Sequence, residues 1–305
     1  GLVTALSINN QNKLTLQAEK DSLSVLSINF DELIAANEEK AASLAVAISG
    51  MPAVQRLFAE QDRQGLIDML SPLYTVLNEN HAIYQAQFHL PPATSFLRLH
   101  SLEKFGDDLS GIRQTVVRAN QEQISVHGLE VGVAGYGIRG VEPVYYQGEH
   151  IGSFEIGMKF DETILNEYKN HFNHDAAIYI PSPAEQAGVE AFTLFAATSA
   201  EPPTVKDEVR QAVFESSESK ISYLTHQNVR YAIITAPIYD YSHQVVALVE
   251  ISLNRETTLQ SIAKNMLLLI LVGMFTVVLM GTLVYLTIQR QVVKALNKVM
   301  LVSEQ

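Results

Sequence analysis

The chain has 305 residues, a formal net charge of −12 and no cysteine. The acidic balance argues against a nucleic-acid partner, because phosphate binding needs clustered Lys and Arg. The absence of cysteine excludes disulfides, so an exported protein of this sequence must be stabilised by burial alone. A chain of this length usually holds about two domains.

The amino-terminal part of the chain is predicted to be one long helix, from Asn9 to about Gly50. Apolar residues recur in it at spacings of three and four, at Leu23, Leu26, Phe30 and Leu33. No Pro or Gly lies between Leu2 and Gly50, so a helix of roughly 60 Å is possible at about 1.5 Å per residue. This helix either carries the seam of a homodimer or packs on its own domain, and both alternatives remain open.

A first mixed module follows the long helix, which ends at Gly50-Met-Pro52. A second helical stretch runs from Val54 to Asn78 and is expected to be interrupted near Ser71-Pro72. Polar and apolar residues then alternate as they do in half-buried strands, and Leu90-Pro-Pro-Ala93 predicts a hairpin or loop between two of these strands. The predicted elements of this part are strands over 82–89 and 94–100, a short helix over 111–122, and strands over 129–139, 141–146 and 151–160.

A second, smaller module has the same mixture of elements. It is expected to contain a helix over 161–171, a strand over 176–180, a loop over 181–187, a strand over 192–198, a helix over 205–216, and strands over 219–225, 229–239 and 244–253. Helix then continues from Arg255 to Asn265 and on toward the carboxyl terminus.

An internal repeat relates the two modules. Three short patterns recur in the same order, and each copy ends a sheet with a hairpin and then starts a helix. Three echoes in one order indicate two related modules. The paired patterns are Glu142-Pro-Val-Tyr145 with Ala236-Pro-Ile-Tyr239, Phe154-Glu-Ile-Gly-Met158 with Val249-Glu-Ile-Ser-Leu253, and Glu162-Thr163 with Glu256-Thr257.

The stretch from Met266 to Ile288 is predicted to be a transmembrane helix. It is uncharged and apolar over the length of about 20 residues that a bilayer core requires. The basic residues Arg290, Lys294 and Lys298 follow it, and positive residues beside a span indicate its cytoplasmic side. We therefore expect an inner-membrane protein with a periplasmic or otherwise extracytoplasmic domain before the span. The first eight residues look like the end of an apolar segment, which suggests an upstream span and a larger two-span protein.

This layout resembles the double Cache receptors of bacteria and archaea, over roughly Ala41 to Asn265. The patterns that carry the resemblance are Phe96-Leu-Arg98-x-His100, Phe105-Gly-Asp-Asp-Leu-Ser110, Arg113, Gly128-Leu-Glu130-x-Gly132 and Gly148-x-x-Ile-Gly-Ser-Phe-Glu155. The resemblance implies an α+β fold with a long N-terminal helix, two tandem PAS-like Cache modules with antiparallel sheets, and one C-terminal transmembrane helix. It also implies a ligand pocket on one face of the first module's sheet.

The same resemblance sets the expected domain boundaries. We expect the end of a first span and the long helix over 1–50, a membrane-distal module over 51–160, a connector helix and membrane-proximal module over 161–258, an exit helix and span over 259–289, and the start of a HAMP linker over 290–305. The last of these rests on the spacing of Val292, Leu296 and Val299, with Ala295 in the place of the usual Pro.

Polar residues on otherwise apolar strands are the candidates for the ligand pocket. Arg98 and His100 share one face of a strand, and the guanidinium of a buried Arg suits a carboxylate. The alternative is that Arg98 pairs internally with an acid, since buried charges are normally paired. The acids considered for it are Asp107, Asp108 and Glu130.

The other candidates come from neighbouring strands and from the short helix. Arg113 either closes over the sheet or is solvated, and Gly137 between Tyr136 and Arg139 permits a ligand to approach the backbone. Glu155 and Tyr145 have counterparts in the repeat. The alternative for both residues is therefore that they determine the fold and do not bind a ligand. The complete set of predicted ligand-binding residues is Arg98, His100, His89, Gln87, Tyr84, Arg113, Tyr136, Arg139 and Tyr145.

The expected function is small-molecule sensing by a chemoreceptor, with a carboxylate or amino acid as ligand and a homodimer as the assembly. The same sensor on a histidine kinase or a diguanylate cyclase is the first alternative, and an exported hydrolase or a structural ectodomain is the second. No nucleophile elbow, phosphate loop or zinc-protease signature supports catalysis, and no histidine spacing is a recognised metal signature. No cofactor or metal is therefore predicted.

Overall fold

The computed structural model describes residues 2–132, 135–182 and 191–294. These residues form seven α-helices and ten β-strands. The helices are α1 Leu2–Ser49, α2 Pro52–Ala59, α3 Arg63–His81, α4 Gln114–Glu122, α5 Glu162–Phe172, α6 Asp207–Ser216 and α7 Glu256–Ile288. The strands are β1 Ile83–Leu90, β2 Thr94–Arg98, β3 Val126–Gly132, β4 Gly135–Tyr146, β5 Glu149–Lys159, β6 Asp175–Pro181, β7 Phe192–Ala197, β8 Lys220–His226, β9 Val229–Tyr239 and β10 Val245–Asn254.

The strands form two five-stranded sheets with the same topology. The first has the order β2-β1-β5-β4-β3 and the second the order β7-β6-β10-β9-β8. The repeated sequence patterns lie on equivalent elements, with the Pro motif on β4 and β9 and the Glu motif on β5 and β10. The predicted α+β fold with two tandem antiparallel modules is confirmed.

The part of α1 from Ser22 onward packs on the modules. Leu23 and Phe30 are fully buried, and the Phe30 ring lies edge-on to that of Tyr168 with 5.4 Å between centroids. The Tyr168 hydroxyl donates a hydrogen bond of 2.9 Å to the carbonyl of Leu26. Of the two alternatives for the long helix, packing on its own domain is therefore observed along this length.

The helical stretch after the first helix divides at a different place from the one predicted. Pro72 lies inside α3 without breaking it, and the division falls between α2 and α3. Gln61 there has a positive φ of 56°, and the Asp62 carboxylate caps α3 by accepting from the Gly65 amide at 2.9 Å. The cap and the turn thus separate the helices, and α3 continues through the proline.

The prediction of a single strand over 129–139 is also wrong, because this range contains the end of one strand and the start of the next. β3 ends at Gly132 and β4 begins at Gly135, whereas Gly140 lies in the middle of β4. A side chain at Gly140 would collide with the α1 backbone at Ala41 and Ala42. Gly140 therefore marks a close approach of helix to sheet, and not the end of a strand.

The chain divides into two compact units, and both sheets belong to the unit formed by 22–227 and 231–253. The other unit contains α1 up to Asp21, residues Asn228–Arg230 and the chain from Asn254 onward. Within it, Arg255 pairs with Glu19 at 2.9 Å and Arg230 pairs with Glu256 at 3.1 Å.

The helix α7 is long and apolar enough to span a membrane. The segment that qualifies runs from Glu256 to Val292, and its most apolar part is not buried by other residues of the structure. A π-helical turn over Gln289–Val293 continues it. The predicted HAMP positions Leu296 and Val299 lie outside the described residues.

Candidate functional site

The two faces of the first sheet have opposite characters. Side chains alternate along β1 and β5, so Phe88 and Phe154 meet on the face toward α1 and α2, with 4.5 Å between ring centroids. Gln87 and Glu155 are paired in the same register and lie on the opposite face. This second face carries the polar residues, and we refer to it as the polar face.

Glu155 lies at the centre of the polar face and is fully buried. Its carboxylate accepts hydrogen bonds from the Arg113 guanidinium and, at 2.7 Å, from the Gln87 amide. Arg139 Nη1 approaches it at 3.4 Å and His89 Nε2 at 3.5 Å. Burial by itself would raise the pKa of Glu155, but Arg113 and Arg139 hold that pKa well below its usual range, so the carboxylate is ionised.

Arg113 is buried and contacts two carboxylates, so the alternative of a solvated side chain is wrong for this residue. Its Nε donates to Glu130 at 2.8 Å, and only 6% of the residue is exposed. Glu130 also accepts from the Thr115 amide and hydroxyl, at 2.8 and 2.9 Å, which ties the start of α4 to β3. Burial would lower the pKa of Arg113, but Glu155 and Glu130 raise it overall.

Arg98 pairs internally, as the alternative interpretation of the sequence had it. Its two terminal nitrogens bind both oxygens of Asp107 at 2.7 Å, and its Nε donates to Gln87 at 3.2 Å. Nη1 also donates to the carbonyl of Lys104 at 3.0 Å. The Arg98 guanidinium is therefore engaged by the loop that follows β2.

The two predicted histidines differ in burial. His89 is fully buried beside Glu155, and its Nδ1 lies 3.4 Å from the Ser153 hydroxyl. Burial lowers the pKa of His89 to about 3, against the opposing field of Glu155. His100 is partly buried, with its ring centroid 6.4 Å from that of Tyr84, and burial lowers the pKa of His100 as well. The His89 imidazole is accordingly neutral at physiological pH.

Arg139 lies flat across the sheet, over two glycines. A side chain at Gly137 or at Gly157 would occupy the space of its guanidinium. Gly137 was expected to admit a ligand to the backbone, and the structure shows that the Arg139 side chain fills that space. Arg139 donates to the Gln85 side chain, but its buried Nε has no hydrogen-bond partner among the described residues. Burial lowers the pKa of Arg139.

A cavity of about 200 Å³ opens at this end of the polar face. The Tyr136 hydroxyl donates to the carbonyl of Val246 at 3.0 Å, and Lys159 Nζ lies 5.1 Å from the centre of the Tyr84 ring. The Asp161 carboxylate caps α5 by accepting from the Thr163 amide at 2.8 Å. The lining residues are Tyr84, Gln85, Tyr136, Gly137, Arg139, Met158, Lys159, Phe160, Asp161 and Phe195.

The structure therefore separates the predicted residues into groups. Tyr84, Tyr136 and Arg139 line the cavity, and His100 lies beside Tyr84. Tyr145 is at the other end of β4, beside His150 and 3.4 Å from Gln123, so it does not join them. The predicted residues that belong to the buried network are Gln87, His89, Arg98 and Arg113.

The sequence interpretation missed Lys159, Asp161 and Phe195. A signal for Lys159 was present, because it lies four residues after Glu155 on one strand and so falls on the same face. Phe195 comes from β7 of the second module, and no local pattern places it near β4. Among the described residues, no group of three His, Asp or Glu side chains is placed to hold a metal ion.

The second module has its own version of the central ion pair. Glu250 on β10 accepts from Arg210 on α6 at 2.7 Å, and both residues are buried. The Arg210 guanidinium also stacks 3.7 Å from the Tyr179 ring centre and pairs with Asp207 at 2.7 Å. An arginine on or beside the helix over the sheet thus holds the central glutamate in both modules, which favours the fold-determining interpretation of Glu155.

The model of the dCache_3 family, described as a double sensory domain of two-component sensor kinases, matches residues 16–258. A sensory domain of this kind is a ligand-binding module. No curated protein sequence matches the chain.

Solved sensory domains of the Campylobacter jejuni chemoreceptor Tlp3 share the fold. The isoleucine-bound domain has 14% identity and a TM-score of 0.51, with 82% of this chain and 96% of that chain covered. The L-valine complex has 14% identity and a TM-score of 0.50 over the same shares. A further structure of the same domain has 14% identity and a TM-score of 0.50, covering 83% and 98%.

Proposed function

Because the chain belongs to the dCache_3 family of double sensory domains, we propose that it is the extracytoplasmic ligand-sensing and transmembrane signalling region of a chemoreceptor. Its ligand is a small organic anion or an amino acid, bound in the first module. Residues 51–160 form the sensing module in this proposal, and 161–258 the module that transmits the signal.

The observation that carries the ligand class is the unpartnered Nε of Arg139 at the cavity of about 200 Å³. A buried donor without a partner costs free energy, and a ligand carboxylate would remove that cost. Lys159 adds a second positive charge at the same cavity. The Asp161 carboxylate uses one oxygen to cap α5, and its other oxygen suits the ammonium group of an amino acid.

The buried network beside the cavity supplies the surroundings of this site. Glu155 lies between two guanidinium groups, that of Arg139 on one side and that of Arg113 on the other. A ligand carboxylate at Arg139 therefore competes with Glu155 for the Arg139 guanidinium. Arg113 directly precedes α4, so a change in the pairing between Arg113 and Glu155 alters how α4 is held on the sheet. Ligand binding biases the arrangement only if the ligand has different affinities for the two states.

The signal then passes to the inner membrane through α7. In this proposal α7 crosses the bilayer with the modules outside and the basic residues after it in the cytoplasm. A displacement of α7 on the order of 1–2 Å suffices to carry the signal, as for helix shifts at subunit interfaces. The receptor in this proposal is a homodimer. A sensor kinase is the second candidate, because the matching family is described as the sensory domain of two-component sensor kinases.

The test is a ligand screen by thermal unfolding of the full chain in detergent micelles, with amino acids and small carboxylates. A ligand that binds the folded state raises the unfolding temperature in a saturable way. Lys159→Gln and Arg139→Gln should each weaken the response about tenfold or more, because each removes a charge-assisted contact. Lys159 is exposed, so its variant should fold even if the arginine variant does not.

The matched control is Arg56→Gln, which removes an exposed arginine that pairs with Glu60 at the end of the same helix. It should leave the ligand response unchanged. If no carboxylate or amino acid stabilises the wild-type chain, the proposed ligand class is wrong. If a carboxylate does so equally well in the Lys159 and Arg139 variants, the proposed site is wrong.

A further inference from the structure

A second and larger cavity, of about 490 Å³, lies away from the polar face of the first sheet. Three parts of the chain enclose it: α1, the segment from α4 into β3, and the end of β9 with the turn that follows it. We call it the α1 cavity. Its lining residues are Asp31, Ile34, Ala35, Glu38, Arg118, Ile124, Ser125, Val126, His127, Gly128, Ile238, Tyr239, Asp240, Tyr241 and His243.

A close contact between the two modules forms one wall of this cavity. The Tyr241 amide donates to the carbonyl of Leu129 at 2.9 Å, which fixes the β9–β10 turn against β3. Gly128 has a φ of 142°, and a side chain there would collide with the Tyr241 backbone. The wall is thus built by backbone contact, and a molecule in the cavity touches α1 and both modules.

The floor of the α1 cavity is apolar. Ile34 is 7% exposed, Val126 6% and Ile238 1%, and each comes from a different one of the three enclosing parts. Concave sites with an apolar floor and a few polar groups are typical of small-molecule binding, and the volume lies within the range that such sites have.

Most charged groups at the rim are already engaged. Arg118 pairs with Glu122 at 3.2 Å, and Asp240 Oδ1 accepts from the Ser242 and Gln244 amides within its own turn. Burial raises the pKa of Glu38, and the nearby His127, Leu129 backbone and His243 oppose that rise.

Asp31 is the exception. No hydrogen bond or ion pair joins its carboxylate to any other residue in the described part of the chain. Asp31 is an exposed residue of α1, and partial desolvation of its carboxylate at the cavity raises its pKa to about 6. Asp31 and Glu38 are two helical turns apart and therefore lie on one face of α1, above the apolar floor.

We infer that the α1 cavity is a second binding site, for a small molecule that carries one ammonium group on an apolar body. The ammonium pairs with Asp31, and the apolar body covers Ile34, Val126 and Ile238. This site is independent of the anion site proposed in the first module, because the two cavities share no residue.

The test uses 2-phenylethylamine as the probe, with 2-phenylethanol and 3-phenylpropionate as its neutral and anionic counterparts. Binding to the full chain in detergent micelles is followed by isothermal titration calorimetry. The amine should bind saturably at one site and more tightly than either counterpart. Asp31→Asn keeps the size of the side chain and should raise the Kd of the amine about tenfold or more.

Two further variants make the result decisive. Glu32→Gln changes the neighbouring exposed carboxylate, which does not line the cavity, and should leave the Kd unchanged. Ala35→Phe fills the cavity from α1 and should abolish binding. The inference is overturned if the amine shows no saturable binding, if the alcohol binds as tightly, or if Asp31→Asn and Glu32→Gln behave alike.

Discussion

Glu155 is a carboxylate with no contact with solvent, and its charge is balanced entirely by neighbouring side chains. Arg113 and Arg139 approach it from two sides, and Gln87 donates to it. A buried charge that loses one such partner is left without compensation, which usually costs about 3–5 kcal/mol. The network therefore fixes the side chains of β1, β4 and β5 in one arrangement.

His89 makes the stability of this network depend on pH. Its pKa is lowered from 6.5 to about 3 in the folded chain, so the unfolded chain binds the extra proton between these values. The groups around it are Glu155, Arg113, Arg98 and Asp107. The contribution of His89 to the free energy of unfolding is fully present above its pKa in the unfolded chain, and it is lost as the pH falls toward its pKa in the folded chain. The free energy of unfolding should drop by about 2 kcal/mol between about pH 7 and pH 5 through this group.

His89→Gln should remove that part of the pH dependence. The measurement is urea unfolding of the full chain in micelles at both pH values, followed by tyrosine fluorescence. His81→Gln alters an exposed imidazole at the end of α3 and should keep the slope of the wild type. An unchanged slope in His89→Gln would contradict the assignment of this pH dependence to His89.

At this scale the sequence identified most of the polar residues but few of their partners. Asp107 was among the acids considered for Arg98, whereas Arg113 was expected either to close over the sheet or to be solvated, and the structure pairs it with Glu130 and Glu155. The partner of an arginine on a sheet depends on strand register and on distant segments. Arg113 and Glu155 are 42 positions apart in sequence, so no local pattern joins them.

Among the elements, α1 and β4 approach each other closely at Gly140. Gly140 allows the α1 backbone to lie directly on the strand at Ala41 and Ala42. The sequence predicted α1 well, because an uninterrupted periodic pattern is a strong local signal. It misplaced the turn between β3 and β4, since a glycine required by packing resembles a glycine required by a turn.

Gly140→Ala should lower the free energy of unfolding by about 2 kcal/mol, because the added methyl group forces α1 away from the sheet. Gly140→Val should cost more. Gly111→Ala is the matched control, since a side chain at Gly111 meets no atom within 4 Å. Chemical unfolding of the three variants measures the difference, and equal costs at the two glycines would rule out the steric explanation.

At the scale of the whole molecule, the two modules share a hydrophobic core. One cluster of buried apolar residues includes Phe88 and Phe154 of the first sheet and Ile178 and Val249 of the second. The repeat visible in the sequence predicted two related modules, and the identical strand orders confirm this relation. The shared core could not be predicted, because it depends on which faces of the modules meet.

The two central glutamates provide a matched test of this shared core. Glu155→Ala and Glu250→Ala should each lower stability by about 3 kcal/mol, because each leaves a buried arginine with fewer partners. In calorimetry of the full chain, both variants should shift one common unfolding transition. Glu149→Ala, at an exposed position of β5, should shift nothing. Two transitions, each moved by only one of the variants, would show that the modules unfold separately.

The hydrogen bond between Tyr168 and Leu26 has a consequence for synthesis and export. The two residues are 142 positions apart, so the buried side of α1 leaves the ribosome long before its partner does. At about 5–20 residues per second, the interval is roughly 7–28 s. During that interval the apolar face around Leu23 and Phe30 has no second module to cover it. A chaperone that binds nascent chains would therefore find this face of α1 uncovered until α5 has emerged.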